Sequence, residues 1–126
     1  MNQDLESIAT TLVADGKGIL VADESVATLT RRFDSVGIQS TEQSRRAYRE
    51  MLFTASSAAE FISGAILYDE TIRQTSSNGT PLAQVLSRQG IVPGIKVDTG
   101  AVALAGSPEE TVTEGLDGLR DRLAEY

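Results

Sequence analysis

The sequence contains no cysteine and no histidine. These absences exclude disulfides, thiolate nucleophiles, histidine-containing catalytic triads and histidine-ligated zinc from these residues. Lysine is scarce as well, since only Lys17 and Lys96 occur. A reaction that needs an amine from these residues therefore depends on Lys17, Lys96 or the amino terminus. Carboxylates leave magnesium chemistry open, but no pattern supports it, so we predict no metal and no cofactor.

Positive charge and long apolar runs are also in short supply. Eleven Lys and Arg stand against 18 Asp and Glu, which gives a net charge of -7. An acidic chain is poorly suited to phosphate backbones or anionic membranes. The longest apolar runs, Ile19 to Ala22 and Ala65 to Tyr68, are far shorter than a membrane span. We therefore expect a cytoplasmic protein with no nucleic-acid and no membrane partner.

Short apolar runs alternate along the chain with segments of helical periodicity. The runs at 18–22, 62–68 and 94–98 have the length and β-branched content of strands. Such a βα series predicts parallel strands joined by right-handed crossovers. Three parallel strands leave edges and faces uncovered, so further strands are expected. The helical segments begin near Leu5, Ser40, Thr80 and Thr113.

The longest of these helices is expected to begin at Ser40 and to end near Thr54. Ser40 resembles an N-cap, with Gln43 as its partner in a capping box. The helix is predicted to bury Ala47, Tyr48, Met51 and Leu52. Three arginines are predicted to lie on a solvated face, where they meet Glu42 and Glu50 at spacings of three and four; they are Arg45, Arg46 and Arg49.

Polar residues recur where each predicted strand ends. Asp23, Glu24 and Ser25 follow the first run, Asp69 and Glu70 follow the second, and Lys96 and Asp98 lie in the third. The carboxyl ends of parallel strands share one edge, so we expect Asp23, Ser25 and Lys96 to converge there. Two alternatives remain open at this point: a solvated loop at 23–25, and a purely structural Lys96–Asp98 ion pair.

Several of these segments together resemble class I fructose-bisphosphate aldolase. The resemblance is carried, in order, by Gly16 to Ser25, Glu42 to Glu50, Ile62 to Glu70, Gly94 to Asp98 and Glu114 to Leu119. It implies an α/β fold: residues 1–126 would be the N-terminal part of a (β/α)8 TIM barrel, truncated at its C-terminal end, with about three parallel strands and intervening helices.

The resemblance also implies an activity, the reversible cleavage of fructose 1,6-bisphosphate to dihydroxyacetone phosphate and glyceraldehyde 3-phosphate through a lysine imine. Asp23 matches an aspartate that contacts substrate and orients catalytic lysines. Ser25, Thr28 and Lys96 match positions that bind a substrate phosphate. The partner is then a phosphorylated sugar, and the complete protein is expected to be a homo-oligomer. Four neighbouring residues are expected to support the site: Glu24, Arg31, Arg32 and Asp98.

Some positions depart from the family pattern, and some functional residues have no match. Val26 and Ala27 stand where Thr and Gly are usual, Arg31 where Lys is usual, and Thr99 in place of a frequent Lys. The imine-forming lysine and the acid/base glutamates of the family fall after Tyr126, so the chain alone is expected to be inactive. The alternative is a non-catalytic partial barrel that oligomerises or pairs with a complementary fragment.

Overall fold

The computed structural model describes residues 4–126, so the amino terminus considered above lies outside the described residues. The chain divides into two units, one ending at Ile95 and the other formed by Lys96–Tyr126. The first unit contains α1 Leu5–Leu12, β1 Gly18–Ala22, α2 Val26–Asp34, α3 Glu42–Phe53, α4 Ala58–Phe61, β2 Ile62–Leu67, α5 Asp69–Ile72, α6 Leu82–Ser87 and β3 Val92–Ile95.

The three strands of this unit form one parallel sheet in the order β1-β2-β3. Ala22 aligns with Leu67, and Leu67 aligns with Ile95, so all three strands end at the same edge. Helices lie between consecutive strands, as parallel connections require. The expected series of parallel strands with intervening helices is therefore confirmed.

The hydrophobic core lies on one face of the sheet, where α3 and α6 pack. Its fully buried members are Ala22, Phe53, Ala65, Leu67, Leu82, Leu86 and Ile91. Side chains alternate along a strand, so Ile19 and Val21 belong to the opposite face of β1. They are 46% and 60% exposed, although an apolar run of this kind is typical of a strand buried on both faces. Within residues 4–95, the core cluster covers one face only.

Helix α3 begins one residue later than the capping pattern suggested. Thr41, not Ser40, is the N-cap: its Oγ1 accepts from the Ser44 amide at 3.0 Å, while Ser44 Oγ accepts from the Thr41 amide at 2.9 Å. Ser44 therefore takes the capping-box role predicted for Gln43. Ser40 Oγ instead accepts from Thr30 Oγ1 at 2.8 Å, which ties α2 to the start of α3.

The buried face of α3 also differs from the prediction. Ala47 and Met51 are exposed, whereas Arg49 and Phe53 are buried. Positions four apart share a helix face, so burial of Phe53 brings Arg49 inward with it.

Strand β3 starts and ends earlier than predicted. It covers Val92–Ile95, so Lys96 and Asp98 follow the strand instead of lying in it. Pro93 is tolerated because β3 pairs only with β2 within the described sheet, and proline is confined to such edges. The preceding helix begins close to the expected Thr80, since α6 is capped at Pro81, and it ends at Ser87.

The second unit is a β-hairpin followed by a helix. Its elements are β4 Gly100–Leu104, β5 Ser107–Glu114 and α7 Leu119–Glu125. The prediction of a helix from Thr113 is wrong for its first residues, because Thr113 and Glu114 pair with Ala101 and Gly100 in the antiparallel ladder. Across residues 4–126, no helix has the length and apolar character needed to cross a bilayer.

Candidate active site

The first candidate catalytic residue, Asp23, directly follows β1. It is half-buried, and no other side chain or backbone group among residues 4–126 forms a hydrogen bond or ion pair with its carboxylate. If the alternation of β1 continues, Asp23 belongs to the face of Ile19 and Val21, away from the helices. The Asp23 carboxylate thus has no bonded partner among residues 4–126, and it lies at the carboxyl-terminal edge of the sheet, where parallel barrels have their substrate sites.

The next residue, Glu24, accepts hydrogen bonds from two arginines. Its carboxylate accepts from Arg32 Nη1 and from Arg49 Nη1, and its backbone carbonyl accepts from Arg49 Nη2 at 2.9 Å. Burial raises the pKa of Glu24, but a bond from its own backbone N–H and the charges of Arg49 and Arg32 outweigh burial and hold that pKa below its ordinary value. Glu24 therefore fixes this segment to α2 and α3, and the alternative of a solvated loop is wrong at this position.

Arg49 is the residue that sequence reasoning missed. Its side chain is 1% exposed, although the pattern of charges placed it on a solvated face. Besides Glu24, its Nε donates to Thr71 Oγ1 of α5 at 3.3 Å. A signal for this burial exists in the sequence, because Arg49 precedes Phe53 by one helical turn.

Ser25 and Thr28 lie together at the start of α2. Ser25 is the N-cap, its Oγ accepts from the Thr28 amide at 3.3 Å, and the two hydroxyl oxygens are 3.2 Å apart. Amides at a helix start favour negative charge, as expected of residues that bind a phosphate. Of the two arginines on α2, Arg31 is exposed, and Arg32 is occupied by Glu24.

The end of β2 is held by a second arginine of α3. Arg45 donates from Nε and Nη2 to the two carboxylate oxygens of Glu70, at 2.8 and 2.6 Å. This paired bond to Glu70 raises the pKa of Arg45. Arg46 instead pairs with Glu50 on its own helix. The three arginines therefore have three different acidic partners, and the prediction of one solvated face is wrong for Arg45 and Arg49.

Lys96 and Asp98 form an ion pair in the second unit. Lys96 Nζ donates to Asp98 Oδ2, and Asp98 Oδ1 accepts from the Gly100 amide at 3.0 Å. The bond from Lys96 is the main reason that the pKa of Asp98 is lowered. Both side chains remain partly exposed, at 25% and 35%. Lys96 directly follows Ile95 of β3; its convergence with Asp23 and Ser25 stays a prediction.

The carboxylates of these strand ends do not form a metal centre. In the described part of the chain, no group of three or more Asp and Glu is arranged to hold a metal ion.

The described residues match a known protein family along their whole length. The family model described as fructose-bisphosphate aldolase class-I matches residues 4–126. The chain belongs to the class I fructose-bisphosphate aldolase family. Similar aldolases include a probable fructose-bisphosphate aldolase class 1 from Xanthomonas campestris, 56% identical over 98% of this chain and 37% of that protein. A Drosophila melanogaster fructose-bisphosphate aldolase is 50% identical over all of this chain and 35% of that protein.

A solved aldolase has the same backbone arrangement. The fructose-bisphosphate aldolase from Plasmodium falciparum, co-crystallised with TRAP and a small-molecule inhibitor, matches with a TM-score of 0.91 and 46% identity, over 95% of this chain and 35% of that one. The parallel sheet of the first unit is thus part of an aldolase TIM barrel. The chain spans about a third of the length of the relatives it matches.

Proposed function

We propose that these residues form the N-terminal third of a class I aldolase that reversibly cleaves fructose 1,6-bisphosphate to dihydroxyacetone phosphate and glyceraldehyde 3-phosphate. The observation that carries this proposal is the match to the family along residues 4–126. The unpaired Asp23 carboxylate at the end of β1 supports it, because an uncommitted acid there can contact substrate and orient a lysine.

The residues divide into a catalytic group and a phosphate-binding group. Asp23 orients the lysine that forms an imine with the substrate carbonyl, and that lysine comes from sequence outside these 126 residues. Ser25 and Thr28 offer hydroxyl groups and the positive start of α2 to one substrate phosphate. Lys96 adds a point charge to the same phosphate, in competition with Asp98.

The remaining expectations follow from this assignment. The chain by itself is inactive, because imine formation and proton transfer need an amine and an acid/base pair that the further barrel strands supply. The complete enzyme is a cytoplasmic homo-oligomer that needs no cofactor.

A chimera tests the proposal. In this protein, the aldolase chimera, residues 4–126 replace the matched segment of the Drosophila melanogaster relative. We expect it to cleave fructose 1,6-bisphosphate in a coupled triose phosphate assay and to be trapped covalently on substrate by borohydride. The unfused chain is expected to do neither. A folded chimera without activity, or an active unfused chain, would contradict the proposal.

A second function is favoured by the exposed apolar residues of β1. Ile19 and Val21 are 46% and 60% exposed, and a β1 edge without a partner strand invites association. The chain alone would then self-associate or pair with a complementary barrel fragment without catalysing a reaction. Size-exclusion chromatography of the chain, alone and mixed with the remaining two thirds of the Drosophila relative, tests this. A chain that stays monomeric and does not bind the fragment would exclude this second function.

A further inference from the structure

Arg49 is a buried cation with three different acceptors. Its guanidinium bonds to the Glu24 carboxylate, to the Glu24 carbonyl oxygen at 2.9 Å and to Thr71 Oγ1 at 3.3 Å. The side chain is 1% exposed, and Thr71 is 2% exposed. One α3 residue therefore connects the segment after β1 to the helix after β2. Such an ion pair is costly to bury, and its bonds fix the position of the segment after β1 relative to α3 and α5.

The bond to the carbonyl oxygen fixes the backbone between the two proposed site residues. The Glu24 carbonyl belongs to the same planar peptide unit as the Ser25 amide. Holding that oxygen sets the orientation of the plane, and with it the direction in which Ser25 enters α2. The further bond from Arg49 to the Glu24 carboxylate holds the side chain of the residue that directly follows Asp23. Ser25 then caps the helix through the Thr28 amide, and its carbonyl accepts from the Leu29 amide at 3.0 Å.

Neither of the other arginines nearby has this set of contacts. Among residues 4–126, the Arg32 side chain bonds to the Glu24 carboxylate alone, and it is 59% exposed. Arg46 bonds to Glu50 on its own helix and to the Thr75 carbonyl oxygen, neither of which belongs to the segment after β1. Lysine could not replace Arg49, because an ammonium lacks the planar fork that reaches a carboxylate, a carbonyl and a hydroxyl at once.

We propose that Arg49 is a positioning residue that holds Asp23 and Ser25 in their working orientation through the Glu24 peptide. The inference rests on the proposed aldolase function for its kinetic consequence. Displacing catalytic groups by about 1 Å can cost on the order of 100-fold in rate. Loss of Arg49 should therefore affect the kinetic constants beyond what loss of stability explains.

The kinetic test compares four forms of the aldolase chimera: unsubstituted, Arg49→Lys, the double variant Glu24→Gln with Arg49→Met, and Arg46→Met as the matched control. The double variant removes both charges, so it avoids leaving Glu24 unpaired with its buried partner. Assays are run well below each unfolding midpoint. We expect kcat/KM to fall about 10- to 100-fold in both Arg49 variants, with a raised KM, and to change less than twofold in Arg46→Met.

The KM is the readout that separates positioning from simple stabilisation. A partly unfolded population lowers apparent kcat but leaves KM unchanged, whereas a misplaced Ser25 weakens substrate binding. If the double variant recovers both its unfolding midpoint and its kinetic constants, Arg49 is merely structural and the inference is wrong.

Hydrogen exchange on the 126-residue chain keeps the inference separate from the aldolase assignment. An inactive chimera would reject the proposed function, yet the backbone claim can still be measured. We expect the Thr28 and Leu29 amides to exchange at least tenfold faster in the double variant than in Arg46→Met, with unchanged exchange in β2. Equal exchange at these two amides in both variants would overturn the positioning role.

Discussion

Residues 4–95 and residues 96–126 form two units, and each is stabilised internally by a different kind of interaction. Of the described residues, every buried one lies in the first unit, and the largest apolar side chains of the hairpin are about 40% exposed, as for Val102, Leu104 and Val112. The hairpin relies on its antiparallel backbone ladder, while the first unit has a packed core. Side-chain packing should therefore decide stability in one unit and backbone geometry in the other.

The same contrast separates two ion pairs, one in each unit. The Arg49 and Glu24 side chains are 1% and 12% exposed, whereas Lys96 and Asp98 are 25% and 35% exposed. A buried pair is expensive to separate, but an exposed one exchanges readily with water or an incoming anion. The first pair is therefore suited to hold a backbone in place, and the second leaves Lys96 accessible to an incoming anion.

The largest expected effect comes from removing a core side chain of the first unit. Phe53 is 1% exposed and belongs to the core cluster, so Phe53→Ala should lower the free energy of unfolding by about 3 to 5 kcal/mol. Val112→Ala in the hairpin is the control, and we expect it to cost less than about 1 kcal/mol. Urea unfolding of both variants measures the difference. Equal losses would erase the distinction between the two units.

Backbone geometry should matter most at Gly115. Its φ is +146°, and an added Cβ would lie 2.8 Å from Asp98 Cα and 2.9 Å from the Val97 carbonyl oxygen. Gly115→Ala should destabilise the second unit by about 3 kcal/mol. Gly106→Ala provides the control, because its φ is also positive, at +77°, but no atom of the described residues lies within 4 Å of its added Cβ. Hydrogen exchange of the β4 and β5 amides reports the effect; similar exchange in both variants would argue against the close approach.

Lys96→Ala tests the exposed ion pair. In the aldolase chimera it should weaken substrate binding by about 1 to 3 kcal/mol, as expected for a charge-assisted hydrogen bond to a phosphate. Covalent trapping by borohydride should survive, and the unfolding midpoint should barely change. Loss of trapping in a folded variant would instead identify Lys96 as the nucleophile.

The smallest expected effect is the pH dependence of the buried pair. Burial raises the pKa of Glu24, but the backbone bond, Arg49 and Arg32 lower it further, so the net shift is downward. A lowered pKa in the folded state stabilises the fold above the unfolded pKa, and this contribution is lost as the pH falls through the folded pKa. The stability advantage of the unsubstituted chain over Glu24→Gln should therefore shrink on acidification.

Urea midpoints measured from neutral to acidic pH test this dependence. Glu6→Gln, at an exposed position of α1, controls for the removal of one negative charge. A gap between the unsubstituted chain and Glu24→Gln that stays constant, or grows, as the pH falls would contradict the assignment.

The architecture of the first unit could be predicted because its signals are local. The runs at 18–22 and 62–67 are rich in Ile, Leu and Val and end at polar residues, so both strands and the acids that follow them were predicted correctly. Strand β3 was misplaced because Ile95 to Asp98 alternates apolar and polar residues as a strand does. The hairpin carries small and polar residues in its strands, such as Ala101 and Thr113, which give little periodic signal.

From the sequence, site residues could be predicted at each strand end separately, but the contacts between distant elements could not. The positions of Asp23 and Ser25 follow from the end of β1, which the sequence marks clearly. The Arg49–Glu24 contact joins residues 25 positions apart, and the charge pattern does not distinguish that arginine from Arg46 three positions earlier; the local signal is Phe53, one helical turn after Arg49. Tertiary packing decides which arginine is buried, so a charge pattern alone could not identify Arg49 as that residue.

The parallel pairing of β1 with β2 imposes a delay during synthesis of the chain. Ile19 aligns with Gly64, so its partner strand leaves the ribosome about 45 residues later. At roughly 5 to 20 residues per second, β1 waits about 2 to 9 s before its backbone N–H and C=O groups can pair with β2. Helices α2 and α3 carry their own caps at Ser25 and Thr41 and can form in that interval. Helix formation in this part of the nascent chain can thus precede the pairing of β1 with β2.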